Sequence, residues 1–298
     1  MGYFYLAVAI LCGCTKGYCG KKTSGAVKET KDAMLANILR MIFCVVIGFA
    51  ILAFGGNINL LNAGFNTLLI SFLSGVGMSA FVVVWLLTVK RGAYMTLDVF
   101  LMLGVIIPIA ASTILFNEGI RLNQIIGFIV LTLASVIMCS YNNSIKEKMS
   151  ISSLVLLILC GVSNGVVSLS QKLFVNYVKD GSNVVFNFYT YAFSAVILTV
   201  CYFAFGKKEK QKSENIFTAQ KTLICYIAVM AVCLFLNTFF MTKSASVLPS
   251  VILYPLSQGG SLILSSLMSA VFFKEKITKV CVVGLVVAFA GLIVMNML

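Results

Sequence analysis

The chain has 298 residues, 60% of them hydrophobic and 10% charged, with a mean hydropathy of +1.05 and a formal net charge of +13. Soluble domains are about 25% charged, so this composition excludes one and implies a polytopic membrane protein held in a lipid bilayer. The complete absence of histidine removes His-dependent nucleophilic catalysis and histidine proton relays.

Apolar runs of membrane-crossing length, about 20 residues each, fall at 3–20, 34–54, 66–88, 94–116, 121–140, 151–172, 183–205, 220–242, 246–273 and 278–297. They predict ten transmembrane helices and an all-α membrane protein. The first run begins almost at Met1, with no basic segment before it and no evident small-residue cleavage site, so a retained span is expected rather than a cleaved signal peptide.

Span 1 carries Gly13, Gly17 and Gly20 with Lys16 among them. Small residues at this spacing admit a neighbouring helix closely or line a passage, and Lys16 either snorkels toward the basic connection that follows or faces a hydrated cavity. Arg40 in span 2 and Asp98 in span 4 belong at a similar depth. Charged groups there pair, snorkel or face water because burial in lipid is costly, and a gate or substrate contact is the functional alternative. Trp85, beside Lys90 and Arg91, is expected at the membrane interface. Pro108 should kink span 4, since it removes one helical hydrogen bond. Glu118 precedes span 5 and Glu275 precedes span 10, each placed to offset the positive end of a helix dipole and accept bonds from free amides.

In the second half, Asn164 and Gln171 lie in span 6, and Asn183, Asn187, Tyr189 and Tyr191 open span 7. Such polar groups cement helix packing or line a solvent path. Residues 206–215 form the most charged connection. Span 9 contains Y-P-L-S-Q-G-G-S from Tyr254, the densest cluster of helix-breaking and hydrogen-bonding residues in any span. Kinked or unwound backbone at membrane depth is stable only inside protein or beside water, so this stretch is expected to wall a cavity, with glycine-mediated packing as the alternative.

Sixteen of the 22 Lys and Arg lie in connections 1–2, 3–4, 5–6, 7–8 and 9–10 or at their edges, including Lys207, Lys208, Lys210 and Lys212. That distribution is the pattern left by insertion and not a nucleic-acid surface; it would put those connections in the cytoplasm and both termini outside. The ten cysteines fall mostly inside spans, where Cys behaves as a small hydrophobe. No disulfide framework, metal site or cofactor is read from them, and Cys12-x-Cys14 lacks a second ligand pair at zinc spacing.

The chain also repeats itself. A shift of 157 residues superposes Phe116, Glu118, Ile120, Gly127 and Met138 on Phe273, Glu275, Ile277, Gly284 and Met295, and Leu11-Cys12-Gly13-x3-Gly17 recurs as Leu159-Cys160-Gly161-x3-Gly165. Residues 1–142 and 151–298 therefore read as two five-helix units joined by 143–150. Five is odd, so the second unit enters the membrane inverted relative to the first.

At the recurring pair F-N-E-G-I-R-L-N-Q-I-I-G and F-K-E-K-I-T-K-V-C-V-V-G, the chain resembles the drug/metabolite transporter superfamily, in particular its ten-span EamA-type branch. Residues 254–296 are also similar to the last two helices of the four-span small multidrug resistance proteins. The resemblance implies two fused five-helix repeats and cytoplasmic termini, the reverse of the charge count. It departs at span 1, where the four-span exporters use a carboxylate to exchange protons for cationic drugs and this chain has Lys16.

These readings point to a secondary carrier working by alternating access on a small organic metabolite that is neutral, zwitterionic or anionic, such as an amino acid. Its partners would be that solute and the bilayer, with a coupling ion left open. The candidate pathway residues are Lys16, Arg40, Asp98, Asn164, Gln171, Tyr254 and Gln258, while Glu118 and Glu275 are read as structural helix-start carboxylates. No nucleotide-binding loop is present. A non-transporting membrane subunit or lipid-handling helper is the alternative; an intramembrane enzyme lacks a nucleophile triad or paired intramembrane carboxylates.

Overall fold

The computed structural model describes residues 1–25, 30–90, 94–140, 151–178, 180–205, 221–273 and 279–296. With no water in the hydrocarbon region, backbone polar groups must be satisfied within the segment, and the apolar runs accordingly fold as helices. They are α1 (Gly2–Ser24), α2 (Thr30–Phe54), α3 (Phe65–Lys90), α4 (Tyr94–Gly104), α5 (Ile106–Phe116), α6 (Leu122–Ser140), α7 (Ile151–Tyr177), α8 (Asn183–Phe205), α9 (Lys221–Ala245), α10 (Ser250–Phe273) and α11 (Lys279–Asn296). Six of them are long and apolar enough to cross a membrane, and the protein has an all-α, multi-pass fold.

Burial is distributed as lipid requires. On α2, Ile42, Val46 and Phe49 face outward, while Arg40, Met41, Cys44 and Gly48 are buried. Serines and threonines are common among the buried residues, because helices in lipid gain from close packing and interhelical hydrogen bonds more than from hiding apolar surface.

The span expected at 94–116 is broken at Val105, between α4 and α5. Pro108 has no N–H for the Gly104 carbonyl, four residues earlier. The freed oxygen lies against Gly165 of α7, where a Cβ would come within 2.5 Å of it. Gly104 and Gly161 also permit no side chain, since a Cβ on either would collide with the backbone of the other helix. The proline interruption and the glycine face of α7 are thus two parts of one close crossing.

Span 9 lines a cavity without unwinding. α10 is one uninterrupted helix over Tyr254–Ser261, because Pro255 sits in its second turn and deprives only the carbonyl of Val251. Gly259 and Gly260 serve packing: they admit Leu131 with Leu292 and Ile10 respectively.

The helices pack in a definite order. α1 lies against α9 and α10, and α3 against α7 and α8. α2 lies against α8 and α9, α4 and α5 against α7, and α6 against α11. Gly127 brings α6 and α11 together, where a Cβ would sit 2.6 Å from Met295. The largest core cluster gathers residues of α1, α2, α3, α4, α7, α8 and α9. Trp85 belongs to it, 7% exposed. That corrects the expected interfacial position: Gly20 leaves space for the indole, and a Cβ there would lie 2.5 Å from the ring.

Candidate substrate cavity

A cavity of about 130 Å³ is lined by residues of α1, α3, α4, α7, α9 and α10. α1 contributes Gly13, Cys14, Lys16 and Gly17, so glycines open space just where the lysine enters. The Lys16 ammonium stands 5.8 Å from the ring centre of Phe81, which also lines the cavity. An aromatic face stabilises a cation that has left water.

Much of the remaining lining is hydrogen-bonding. α7 presents Asn164, Ser168 and Gln171, and α10 presents Tyr254, Ser257, Gln258 and Ser261. These positions recur every three or four residues, so they form one polar stripe along each helix. The amide nitrogen of Asn164 is buried without a protein partner among the described residues, leaving a donor available to a solute or water. The Tyr254 hydroxyl donates to the Ser168 carbonyl at 2.6 Å, and Asn237 donates its Nδ2 to the Ala9 carbonyl at 2.7 Å. The first bond ties α10 to α7, the second α9 to α1.

Of the residues marked out in the sequence, Lys16, Asn164, Gln171, Tyr254 and Gln258 all come together here. Arg40 is not a wall residue. It is 3% exposed on α2, with Nε lacking a hydrogen-bond partner among the described residues. It lies within electrostatic range of Lys16 and of Tyr191, whose hydroxyl is bonded to Thr238 on the cavity wall. Arg40 therefore contributes positive potential from behind the wall. Asp98 is on α4, but its side chain lies outside the described residues, as does Glu275 altogether.

Glu118 does not line the cavity and serves an element other than the one it precedes. Its Oε2 accepts the N–H of Ser250, the first residue of α10, at 2.8 Å. The following helix, α6, is instead closed by Gln124, whose side chain accepts the Arg121 N–H at 2.9 Å. Glu118 Oε1 pairs with Lys172 at 2.6 Å. α7 runs past the expected span end at 172 to Tyr177 and buries Lys172. Its partner Glu118 lies in the other half of the chain, so nothing in the local sequence signals the pair.

Asn237, Thr238 and Ser265 also line the cavity and had no sequence signal beyond being polar residues in an apolar run. Among the described residues, no group of His, Cys, Asp and Glu could hold a metal ion.

The arrangement is that of a membrane transport protein: a central polar hollow within a multi-pass helical bundle. Residues 151–297 match the family model of the EamA-like transporter family, so this part of the chain is an EamA-like membrane domain, and transport rather than catalysis is what the match supports. Among solved structures, one crystal structure superposes with a TM-score of 0.77 at 13% identity, over 99% of this chain and 96% of that one. It shares the fold across nearly the whole length. No curated protein matches the sequence significantly.

Proposed function

We propose that the protein is a secondary carrier for a small organic solute bearing a carboxylate, built from two inverted five-helix repeats, residues 1–142 and 151–298, in ten spans. Counting α4 and α5 as one broken span, the main helix packings recur when the halves are exchanged. α1 on α9 answers to α7 on α3, α1 on α10 to α7 on α4, and α2 on α9 to α8 on α3, while the pairs α2–α8 and α6–α11 map onto themselves. That exchange symmetry supports two near-equivalent conformations with a site between them.

The observation that carries the reading is the cavity itself, walled by equivalent helices of both halves and entered by Lys16 alongside amide and hydroxyl groups. Lys16 meets the carboxylate, and Gln258, Asn164 and Gln171 bond the rest. Pockets for drug-sized ligands usually hold about 300–1,000 Å³; about 130 Å³ suits a metabolite of amino-acid or small organic-acid size. The basic connections belong in the cytoplasm of a cell membrane, a placement tested by protease or thiol-reagent access at Lys207 to Glu214.

A thermal-shift screen of the purified protein against small carboxylates should find stabilising ligands by mass action, and liposomes holding only this chain should take those ligands up saturably. Lys16→Gln should retain insertion and lose flux by about 10- to 100-fold, the worth of a charge-assisted hydrogen bond of about 1.5–3 kcal/mol. Ligand binding without flux would instead favour a non-transporting subunit or lipid-handling helper.

A further inference from the structure

The end of the bundle that carries Met1 is tightly tied. Ser244 at the end of α9 donates its hydroxyl to the Gly2 carbonyl at 3.0 Å, and Gly2 packs on Val247 and Leu248. Beside this contact is a node made by Glu118 and Lys172. Lys172 has three ammonium protons and three acceptors: Glu118 at 2.6 Å and the carbonyls of Ala245 and Leu248 at 3.2 Å each. Ala245 ends α9 and Leu248 lies in the turn before α10, carbonyls that a helix end leaves without an internal partner. Glu118 uses its second oxygen to cap α10 through Ser250, and the Ser112 and Ser250 hydroxyls are bonded at 2.7 Å.

The backbone is shaped to deliver this carboxylate. Asn117 ends α5 in the left-handed conformation, φ 52° and ψ 35°, a conformation Asn tolerates better than most side chains. The chain reverses there and Glu118 reaches the α9–α10 turn. One ion pair thus joins the α5–α6 connection of the first half to α7, α9 and α10 of the second. Three of those helices, α7, α9 and α10, line the cavity, and Lys172 directly follows the cavity residue Gln171.

We propose that the Glu118–Lys172 pair is a latch that holds the Met1 end of the carrier closed and must break for the cavity to open there. The inference rests on the carrier reading above. A network in which every donor is matched is stable as a unit and loses much when one member goes, which gives a two-state seal rather than a gradual one.

The test uses the whole protein in oriented vesicles, with Ser261→Cys as a reporter on the cavity wall and a membrane-impermeant thiol reagent added from the Met1 side, modification being read at residue 261 by peptide mass mapping. With Glu118 and Lys172 intact the reporter should react slowly. Glu118→Gln and Lys172→Gln should each raise the rate about tenfold or more, the population change expected for about 1.4 kcal/mol. Ser250→Pro covers the case in which those variants do not fold: at the first helical position, where proline is tolerated, it removes the amide bonded to Glu118 together with the hydroxyl bonded to Ser112 but leaves the ion pair, and should raise the rate less but in the same direction. Unchanged labelling in folded latch variants, with only a lower melting temperature, would overturn the proposal and leave a structural brace. So would a Ser250→Pro rate equal to that of the intact node. Absence of solute flux in the intact protein would count against the carrier reading itself, and is scored separately.

Discussion

The motif L-C-G-x3-G occurs in α1 and again in α7, and its glycines meet different surroundings. In α7, Gly161 and Gly165 are pressed against the backbone of α4 at Phe100 and Gly104, with no room for a methyl group. In α1, Gly13 faces the end of the Asn237 side chain, 3.3 Å from where a Cβ would be, and both Gly13 and Gly17 border the cavity. The helix that answers to α4 by repeat position is α10, and α1 meets it through the Ile10 side chain against Gly260. One seam is shut backbone to backbone; its counterpart is spaced by a side chain. The inequality distinguishes the two seams in this conformation: one excludes any side chain, and the other is held apart by one.

The largest effect should come from filling the tight seam. Gly161→Ala places a methyl group into fixed backbone and should cost about 3 kcal/mol, seen as a large fall in melting temperature or loss of monodisperse protein. Gly13→Ala meets only a flexible side-chain end and should change stability by under about 1 kcal/mol. Equal penalties at the two positions would mean that the seams are equivalent after all.

Next in size is the contrast between the two intramembrane cations. Lys16 faces the cavity, and Arg40 lies behind it. Lys16→Gln should therefore remove most flux, whereas Arg40→Gln should weaken apparent affinity by a smaller factor of about 3 to 10, through loss of potential rather than of a contact. Removing an incompletely bonded buried charge need not destabilise the fold, so Arg40→Gln should keep its melting temperature. If the order of the two flux losses is reversed, the wall assignment of Lys16 fails.

Much of this was legible in the sequence. Hydrophobic run lengths placed the helices, because in lipid the backbone has no alternative to helix over such a run. Pro108 announced the break at Val105, and the polar residues of span 9 announced the α10 stripe. What the sequence could not tell was partner choice. Trp85 beside two basic residues looked interfacial; only the absence of a side chain on Gly20, 65 residues earlier, lets it turn inward. Pro255 looked like a breaker, but its place in the second turn of α10 leaves the helix whole. Glu118 carried the signature of a cap for α6, yet the left-handed Asn117 turns it toward Ser250. The Trp85 and Glu118 misses are contacts across many residues, where local pattern carries no information.

The smallest effect sharpens the comparison further. Tyr254→Phe keeps the buried ring and removes one hydrogen bond, between α10 and the Ser168 carbonyl of α7. That carbonyl already accepts a bond within the α-helical ladder of α7, so no acceptor is stranded, and the cost should be about 0.5–1 kcal/mol. Flux should change by less than about threefold, because the hydroxyl is spent on helix α7 and is not offered to solute. Should Tyr254→Phe abolish flux as fully as Lys16→Gln while the melting temperature holds, the hydroxyl must leave Ser168 during the cycle and bind solute. The α7–α10 contact would then open with each turnover, and the rigid wall inferred from this conformation would instead be a moving part.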